Sequence, residues 1–260
     1  MLISRQIFAL NDRMDVKVKS VGKGRHKLVL ADNFYKHPEL VIELASDLYY
    51  TVPMTGNFPG VRAQISLDTQ PIIEKIGQLW GEDVLPYQYN YQPVIFSAIT
   101  TNNYRLNVAQ RMPHVDEDLT AMVYLNPPGQ CVGGTGLYRH RPTGLERLPV
   151  AINDEILSLG QKYEINPEYL KTPDDYSHFV NTLVFNPLFA TEENSYINDG
   201  NEYWELLELM EMKHNRLVIF DGRMFHSQYI QGNHFSDQHR VNQILYLRRS
   251  HRDAAHSAVS

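Results

Sequence analysis

Three residues of metal-binding type occur in a spacing that could place them on one ion. His114 and Asp116 are separated by a single residue, and a second histidine, His226, lies far along the chain. On an extended strand, side chains two residues apart project from the same face, so His114 and Asp116 can reach one ion together. Two imidazoles and one carboxylate suit non-haem Fe(II) with open coordination positions. Arg240, fourteen residues after His226, would add a planar fork for a carboxylate ligand, and the set therefore indicates an oxygenase.

A His-x-Asp triplet by itself carries little weight. Roughly 0.6 such triplets are expected by chance from this content of histidine and aspartate, and a second copy occurs at residues 251–253. That copy belongs to a polar C-terminal tail, residues 251–260, which we expect to be a solvated terminus. The sequence context must therefore distinguish His114 and Asp116 from the second copy.

Five segments supply that context. Residues 110–116 (QRMPHVD) precede an apolar segment, residues 119–126 (LTAMVYLN), and a Gly-Gly turn into another predicted strand, residues 133–138 (GGTGLY). Further along, residues 215–227 (NRLVIFDGRMFHS) carry the second histidine, and residues 240–247 (RVNQILYL) begin with the arginine. This order of segments resembles the Fe(II)/2-oxoglutarate dioxygenases of the prolyl-4-hydroxylase type.

The resemblance covers about residues 91–247 and implies a metal, a fold and a reaction. By position, His114, Asp116 and His226 match the Fe(II) ligands of that family. The implied fold is a double-stranded β-helix, or jelly roll, with helices on its outside. Relatives use O2 and 2-oxoglutarate as a cosubstrate, which they decarboxylate to succinate while a C–H bond of the substrate is hydroxylated. The implied substrate class is either a peptide side chain or a small metabolite.

The resemblance also assigns residues to the cosubstrate. Arg240 matches the basic residue that holds the C5 carboxylate of 2-oxoglutarate, and Tyr104 matches a tyrosine that hydrogen-bonds the cosubstrate in many relatives. Some relatives carry a second tyrosine where this chain has Val123. The gap between His226 and Arg240 is a few residues longer than usual, so either this loop bulges or His239 takes the role of Arg240.

Composition bounds the kind of protein. The 260 residues carry a formal net charge of −6 and a pI near 6.0, without a long run of Lys or Arg, which argues against a nucleic-acid surface. The single cysteine, Cys131, cannot form an internal disulfide, so we expect a reducing compartment. Because no apolar run reaches eighteen residues, we expect no membrane segment and a cytoplasmic location.

Hydrophobic periodicity predicts a β-rich α+β chain with one domain, residues 1–250. Helices flank the sheet, strands carry the metal residues, and short strands at residues 1–30 surround a turn at 21–24. The predicted helices are residues 38–48, 71–80 and 153–162, the predicted strands are 87–91, 94–100, 120–125, 137–140 and 204–212, and residues 55–62 are a predicted loop.

The stretch of chain between the segment of His114 and Asp116 and the segment of His226 is unusually long. Residues 141–214 hold five tyrosines before β-type sequence resumes, and long excursions within a compact domain are often lids or binding loops. We expect this insertion to be part of a lid over the metal. The alternative is a structural elaboration that covers an outer sheet face or a homodimer interface.

Two other function classes fit part of the pattern. One is a jelly-roll sensor or binding module that holds a metal without oxygenase activity. The other is a hydrolase or isomerase that uses the same three ligands on zinc, although the chain has no His-Glu-x-x-His motif and no general base is evident beside the triad. Arg240 discriminates between them and the oxygenase, because a site that holds only a metal has no need of a buried guanidinium.

Overall fold

The computed structural model describes residues 2–53, 59–66, 68–87, 94–100, 106–191, 195–232 and 234–250. The chain is β-rich, with antiparallel sheets and a few helices. The helices are α1 (Leu2–Ile7), α2 (Pro38–Asp47), α3 (Gln70–Trp80), α4 (Asp154–Lys162) and α5 (Pro173–Leu183). The strands are β1 (Asp15–Val21), β2 (His26–Asp32), β3 (Val61–Gln64), β4 (Val84–Pro86), β5 (Val94–Ile99), β6 (Leu119–Tyr124), β7 (Gly134–His140), β8 (Trp204–Glu211), β9 (Arg216–Asp221), β10 (Phe225–Tyr229) and β11 (Arg240–Arg249).

The strands form two antiparallel sheets. Within the described residues, the larger sheet has eight strands in the order β1-β2-β9-β6-β11-β5-β3, with β4 beside β11, and the smaller sheet has the order β10-β7-β8. Strands that are adjacent in the larger sheet come from distant parts of the chain, as β6, β11 and β5 do. The sheets therefore bring together side chains that the sequence separates by more than a hundred residues.

Three apolar clusters divide the protein into layers. The first lies between α2, α3 and one face of the larger sheet, the second lies between the two sheets, and the third joins α4 and α5 to the outer face of the smaller sheet. On β6, Ala121 and Val123 belong to the first cluster, whereas Met122 and Tyr124 belong to the second. This alternation follows from the two-residue period of a strand, and it decides which side chains face the space between the sheets.

Much of the predicted secondary structure is confirmed. The helices expected at residues 38–48, 71–80 and 153–162 correspond to α2, α3 and α4. Pro38 and Pro71 stand in the first turn of their helices, where a backbone N–H would have no partner within the helix, so proline costs no hydrogen bond there. The strand preferred for residues 204–212 is β8, which pairs with β7. Strands β5, β6 and β7 match three further predictions to within a few residues. No helix among the described residues has the length and apolar character to span a bilayer.

Two local predictions are wrong at the level of single elements. The short strands expected around the turn at 21–24 are confirmed as β1 and β2, which pair with each other, but residues nearer the start form helix α1 instead of a strand. Ile3, Ile7 and Leu10 do have helical spacing. Helix α5 was not expected, although Thr172 and Asp175 form a capping box at its start, and a capping box is a sequence signal for the N-terminus of a helix.

Two other predictions fall partly on residues outside the description. The loop expected at 55–62 ends earlier than predicted, because β3 begins at Val61, and residues 54–58 lie outside the described residues. The strand expected at 87–91 lies almost wholly outside them, since residues 88–93 are not described, and the nearby strand is β4. The second His-x-Asp triplet, residues 251–253, also lies outside the described residues.

Candidate metal centre and its pocket

His114 and His226 lie opposite each other on two neighbouring extended segments. Their backbones form an isolated antiparallel bridge, in which the N–H of each residue donates to the carbonyl of the other at 2.9 Å. His226 is on β10, and His114 follows a short 3-10 turn, Val108–Arg111. Directly opposed residues of an antiparallel pair project from the same face, so the two imidazoles share one side of the smaller sheet.

Asp116 is placed by a close backbone contact with a glycine. Its N–H donates to the Gly222 carbonyl at 2.7 Å. A Cβ at Gly222 would lie 2.9 Å from Thr120 Oγ1 and 3.1 Å from the Cβ of Asp116. A side chain at position 222 would displace either the Asp116 side chain or the Thr120 hydroxyl, so the close approach of Gly222 to Asp116 favours glycine.

The structure brings His114, Asp116 and His226 together. One potential ligand atom from each lies within 4.8 Å of the others. Asp116 Oδ2 is 3.2 Å from His226 Nε2, and the two imidazole centroids are 4.4 Å apart with the rings tilted by 52°. These separations suit three donors converging on one ion, because metal–nitrogen and metal–oxygen bonds of about 2.0–2.2 Å place ligand atoms roughly 3–4 Å apart.

Neighbouring groups orient these donors. His226 Nδ1 is 2.8 Å from the Met224 carbonyl, which can accept a hydrogen bond from Nδ1 and leave Nε2 available to bind an ion. The Thr120 hydroxyl donates to Asp116 Oδ2 at 2.8 Å. Phe220 packs edge-on against the His226 ring with centroids 4.9 Å apart. Hydrogen bonds of this kind fix the tautomer and rotamer of a metal ligand before the ion arrives.

The electrostatics of the cluster favour metal binding near neutral pH. Burial, with the charge of His226, lowers the pKa of His114 to about 4. Burial would raise the pKa of Asp116, but His226, His114 and the Thr120 hydroxyl outweigh it and lower that pKa to about 2. His114 is therefore neutral and Asp116 ionised, which are the protonation states that a metal requires.

Arg240 lies in the same pocket and is only 1% exposed. Its Nη2 donates to the Gly134 carbonyl at 3.1 Å and to Thr135 Oγ1 at 3.2 Å, and its guanidinium lies 5.5 Å from the centroid of the Tyr124 ring. Its Nε has no hydrogen-bond partner in the described part of the chain. Burial lowers the pKa of Arg240, yet a guanidinium stays charged at any ordinary pH.

Two other residues, His239 and Tyr104, were proposed for the cosubstrate. His239 is exposed and lines a different cavity, beside α2 and away from the metal cluster. Because neighbouring strand residues point to opposite faces, Arg240 and not His239 enters the pocket between the sheets. Tyr104 lies outside the described residues. Val123, at the position of a family tyrosine, packs in the helix-facing cluster.

Three residues in or near the pocket were not singled out from the sequence, although two of them lie in segments, residues 58–62 and 141–214, that were expected to shape the substrate pocket. Tyr124 faces Arg240, Arg62 of β3 lines the pocket, and Tyr196 is buried near both arginines. The alternation of β6 could have revealed Tyr124, because it shares its face with Thr120. Arg62 is at the end of a predicted loop, and Tyr196 belongs to the insertion. Neither lies in a predicted strand, so the sequence did not indicate which face its side chain would take.

The insertion divides into two parts. Its helical part, α4 and α5, packs through Ile156, Leu159 and Phe179 against the outer face of the smaller sheet, the face opposite the metal cluster. Its final part passes beside β10, where the Asn198 side chain pairs with the Ile230 backbone at 2.9 Å in both directions. Residues 204–211 are sheet strand β8, so the insertion proper ends at 203. A lid role is therefore restricted to the region around Tyr196.

Hydrogen exchange distinguishes the two parts. On addition of Mn(II) and 2-oxoglutarate, we expect amides of residues 195–199 to become protected, because Tyr196 lies in the cluster between the sheets near Arg240 and Arg62. Amides of α4 and α5 should exchange at unchanged rates, because these helices contact the opposite sheet face. Protection of α4 and α5 by the ligands, with none at 195–199, would contradict this division.

The fold and the cluster define a coarse class: a β-rich protein with two antiparallel sheets and a His-Asp-His site that could hold a metal ion between them. The chain belongs to the family of unknown function DUF6445, which matches residues 12–183 and 167–241. The family carries no assigned activity, so relation to the prolyl-4-hydroxylase type stays a prediction.

Comparisons with curated proteins and with solved structures do not assign a function. No curated protein matches this chain. Among solved structures, one similar chain is SnoK, a non-heme alpha ketoglutarate dependent carbocyclase from nogalamycin biosynthesis, with 11% identity, a TM-score of 0.41 and coverage of 90% of this chain and 86% of SnoK. Another is AviO1 from Streptomyces viridochromogenes Tue57, with 9% identity, a TM-score of 0.38 and coverage of 96% and 94%. Likeness at this level bears on neither the substrate nor the reaction.

Proposed function

We propose that this protein is an Fe(II)- and 2-oxoglutarate-dependent oxygenase that hydroxylates a small molecule or a peptide side chain. The observation that carries the proposal is a single pocket that contains both a converging His-Asp-His set and a fully buried arginine. A metal site alone does not require the arginine, whereas a dicarboxylate bound between the metal and Arg240 uses both.

The donor set fits Fe(II). Two neutral imidazoles and one carboxylate occupy one side of an ion and leave positions for other ligands, as in non-haem Fe(II) oxygenases. His114 and Asp116 are half-buried and His226 is buried, so the site is shielded but reachable. His114, Asp116 and His226 would hold the ion, with His226 oriented by the Met224 carbonyl.

The arginine fits a carboxylate. Asp116 is the one acid among the described residues that line this pocket, and it already lies beside the two histidines. The groups that the structure shows around Arg240 are neutral: a backbone carbonyl, the Thr135 hydroxyl, the Tyr124 ring and, with its side-chain amide flipped, the Asn242 oxygen. Burying a guanidinium without a counter-ion is costly, so a bound anion is the simplest compensation. The far carboxylate of 2-oxoglutarate would supply it.

The strand arrangement supports the jelly-roll interpretation. The central strands of the larger sheet, β9-β6-β11-β5, face β10-β7-β8 across the second apolar cluster, and His114 adds a bridge beside β10. Between β5 and β11 the chain passes repeatedly from one sheet to the other: β5, β6, β9 and β11 belong to the larger sheet, and β7, β8 and β10 belong to the smaller one. In such a fold the ligands of a metal between the sheets come from the strands of one sheet and the loops beside them.

The residues of this chain have separate tasks in the proposed reaction. Bound iron supplies the redox chemistry that couples oxidation of 2-oxoglutarate to succinate with hydroxylation. The protein orients the reactants: Arg240 fixes one end of the cosubstrate, and Thr120 holds the Asp116 carboxylate in place. Apolar neighbours such as Met122 and Ile244 line the pocket and exclude water from the reacting groups.

Tyr196 is the residue of the insertion best placed to assist cosubstrate binding. Its side chain is buried, its hydroxyl has no partner among the described residues, and burial raises its pKa to about 12 despite the nearby Arg240 and Arg62. A neutral phenol could donate to the cosubstrate carboxylate. Because one hydrogen bond to a charged group contributes about 1.5–3 kcal/mol, Tyr196→Phe should weaken 2-oxoglutarate binding by about tenfold or more.

Titration of the Fe(II) protein under anaerobic conditions measures that affinity. Tyr203→Phe is the matched control, because Tyr203 lies in the outer cluster with α4 and α5. Equal affinities for wild type and Tyr196→Phe, with both proteins folded, would remove Tyr196 from the cosubstrate site.

Succinate formation tests the proposed function directly. Wild-type protein with Fe(II), O2 and 2-oxoglutarate should produce succinate, faster in the presence of a true substrate, and His226→Ala should produce none. The second candidate is a binding module that holds the metal without turnover. Metal binding at one ion per chain without binding of 2-oxoglutarate would favour that module over the oxygenase.

A further inference from the structure

A buried asparagine holds the backbone on both sides of Arg240. Asn126 lies two residues after the end of β6 and is 3% exposed. Its Oδ1 accepts from the Val241 N–H at 2.7 Å, and its Nδ2 donates to the His239 carbonyl at 2.8 Å. One side chain therefore bridges residues 239 and 241, and the residue between them is the arginine of the candidate pocket.

This bridge continues the pairing of β6 with β11 beyond the end of β6. The backbone pairing of the two segments ends with a bond from the Leu125 N–H to the Val241 carbonyl at 3.1 Å. Arg240 directs its own backbone groups to the other side of β11, where it pairs with Ile99 of β5. The Asn126 side chain thus supplies the two hydrogen bonds that a strand partner of β11 would supply next.

A primary amide suits both ends of the bridge. The Val241 N–H needs an acceptor and the His239 carbonyl needs a donor, and an aspartate of the same length would lack the donor. Asn126 is itself held in place, because its carbonyl accepts from Cys131 Sγ at 3.3 Å and lies 3.0 Å from His214 Nδ1. The bridge is therefore a fixed point from which the start of β11 is aligned.

Alignment matters at this position because Arg240 is the first residue of β11 and follows a loop, where a strand end would otherwise fray. The two flanking peptides set the direction of its Cα–Cβ bond. At the far end of the side chain, Nη2 reaches the Gly134 carbonyl and Thr135 Oγ1. A rotation of the backbone at residue 240 would carry the guanidinium away from both partners, since the side chain is long.

We propose that Asn126 is a positioning residue whose side-chain amide aligns the start of β11 so that the Arg240 fork points at its anion. This inference rests on the proposed function, which assigns the far carboxylate of 2-oxoglutarate to Arg240. Asn126 lines the cavity beside α2, on the opposite face of the sheet, so it acts through the backbone and does not touch the anion. Two parallel bonds to a carboxylate form only if the fork is correctly directed.

A double-mutant cycle with Arg240 separates positioning from stability. The affinity of the Fe(II) protein for 2-oxoglutarate is measured anaerobically in four proteins: wild type, Asn126→Ala, Arg240→Met and the double variant. We expect Asn126→Ala to weaken binding about fivefold or more, because a misdirected fork loses its paired bonds. In the Arg240→Met background the same change should alter affinity less than about twofold, since no fork is left to misdirect.

The chain offers a matched control for the loss of two hydrogen bonds. Asn215 is 4% exposed, and its side chain bridges the N–H and the carbonyl of Tyr35 at 2.9 and 2.8 Å. Asn215→Ala should lower the melting temperature and leave the affinity unchanged. Asn126→Gln keeps the amide on a longer stem and should retain part of the affinity; if Asn126→Ala does not fold, the cycle is run with Asn126→Gln, whose effect should likewise vanish in the Arg240→Met background.

Three outcomes overturn the inference: unchanged affinity in folded Asn126→Ala, an undiminished effect in the Arg240→Met background, or an equal loss of affinity in Asn215→Ala. Failure of wild type to bind 2-oxoglutarate would instead count against the proposed function. In that case the NMR signal of the Arg240 Nε–H group, assigned by its absence from Arg240→Met, reports the guanidinium without any ligand. A shift of this signal in Asn126→Ala but not in Asn215→Ala supports the positioning role, and an unshifted signal in Asn126→Ala overturns it.

Discussion

Replacing either His114 or His226 with alanine is expected to abolish stoichiometric metal binding. One potential ligand atom from each of His114, Asp116 and His226 lies within 4.8 Å of the others, so removing one leaves two donors for the ion. Loss of an outer partner of a metal ligand typically costs 10–100-fold in affinity, so loss of a ligand should cost at least about 100-fold. Metal analysis after anaerobic loading with Fe(II) and desalting should give one ion per wild-type chain and almost none for either variant.

The chain supplies its own matched control for this experiment. His251 belongs to the second His-x-Asp triplet, which has the same local spacing but lies in the predicted polar tail. His251→Ala should bind metal as wild type does. Unchanged stoichiometry in both His114→Ala and His226→Ala, with circular dichroism indicating folded protein, would refute the assignment of the metal site.

Arg240→Met is expected to weaken 2-oxoglutarate binding strongly without destabilising the ligand-free protein. A charge-assisted pair with a carboxylate contributes about 1.5–3 kcal/mol, which corresponds to at least about a tenfold loss of affinity. Methionine fills much of the same space, and exchanging an uncompensated buried charge for an apolar side chain is often neutral or stabilising. The melting temperature of Arg240→Met should therefore equal or exceed that of wild type in the absence of ligand.

Both quantities can be measured on the same samples. Anaerobic titration of the Fe(II) protein with 2-oxoglutarate should develop a weak visible charge-transfer band, and thermal denaturation gives the melting temperature. Arg240→Lys keeps the charge but not the fork, so its affinity should fall between those of wild type and Arg240→Met. A variant that melts far below wild type and binds 2-oxoglutarate with unchanged affinity would indicate that Arg240 is a structural residue.

The local sequence was sufficient to predict a helix or strand where the hydrophobic pattern lies within that one element. Apolar residues at helical spacing and helix-terminal signals predicted helices at α2, α3 and α4, and apolar runs bounded by turn residues predicted β5, β6 and β7 to within a few residues. A two-residue spacing fixes a common face on any extended segment and selected His114 with Asp116, whereas His226 was selected by the order of segments that resembles the dioxygenases. Sequence reasoning missed α5, although a capping box preceded it, since the surrounding composition is polar.

Selection of one residue over its neighbour required the tertiary structure. The sequence favoured Arg240 and left its neighbour His239 as a competitor, and only the registers of β11 with β5 and β6 decide that Arg240 faces the pocket. A shift of one residue in that pairing would have reversed the two, because side chains alternate between faces. The position of the insertion was equally undetermined, and packing of α4 and α5 against the outer sheet face decided it.

The sequence by itself determined the chemical types available to this protein: two histidines and an aspartate at a spacing that suits one ion, and an arginine on a later strand. Only the tertiary structure decided which charges share a pocket with them. Arg62 and Tyr196 come from an edge strand and from the end of the insertion, and neither position carries a local pattern that points to His226. Long-range strand pairing brings them together, and such pairing depends on the packing of whole sheets rather than on the spacing of a few residues.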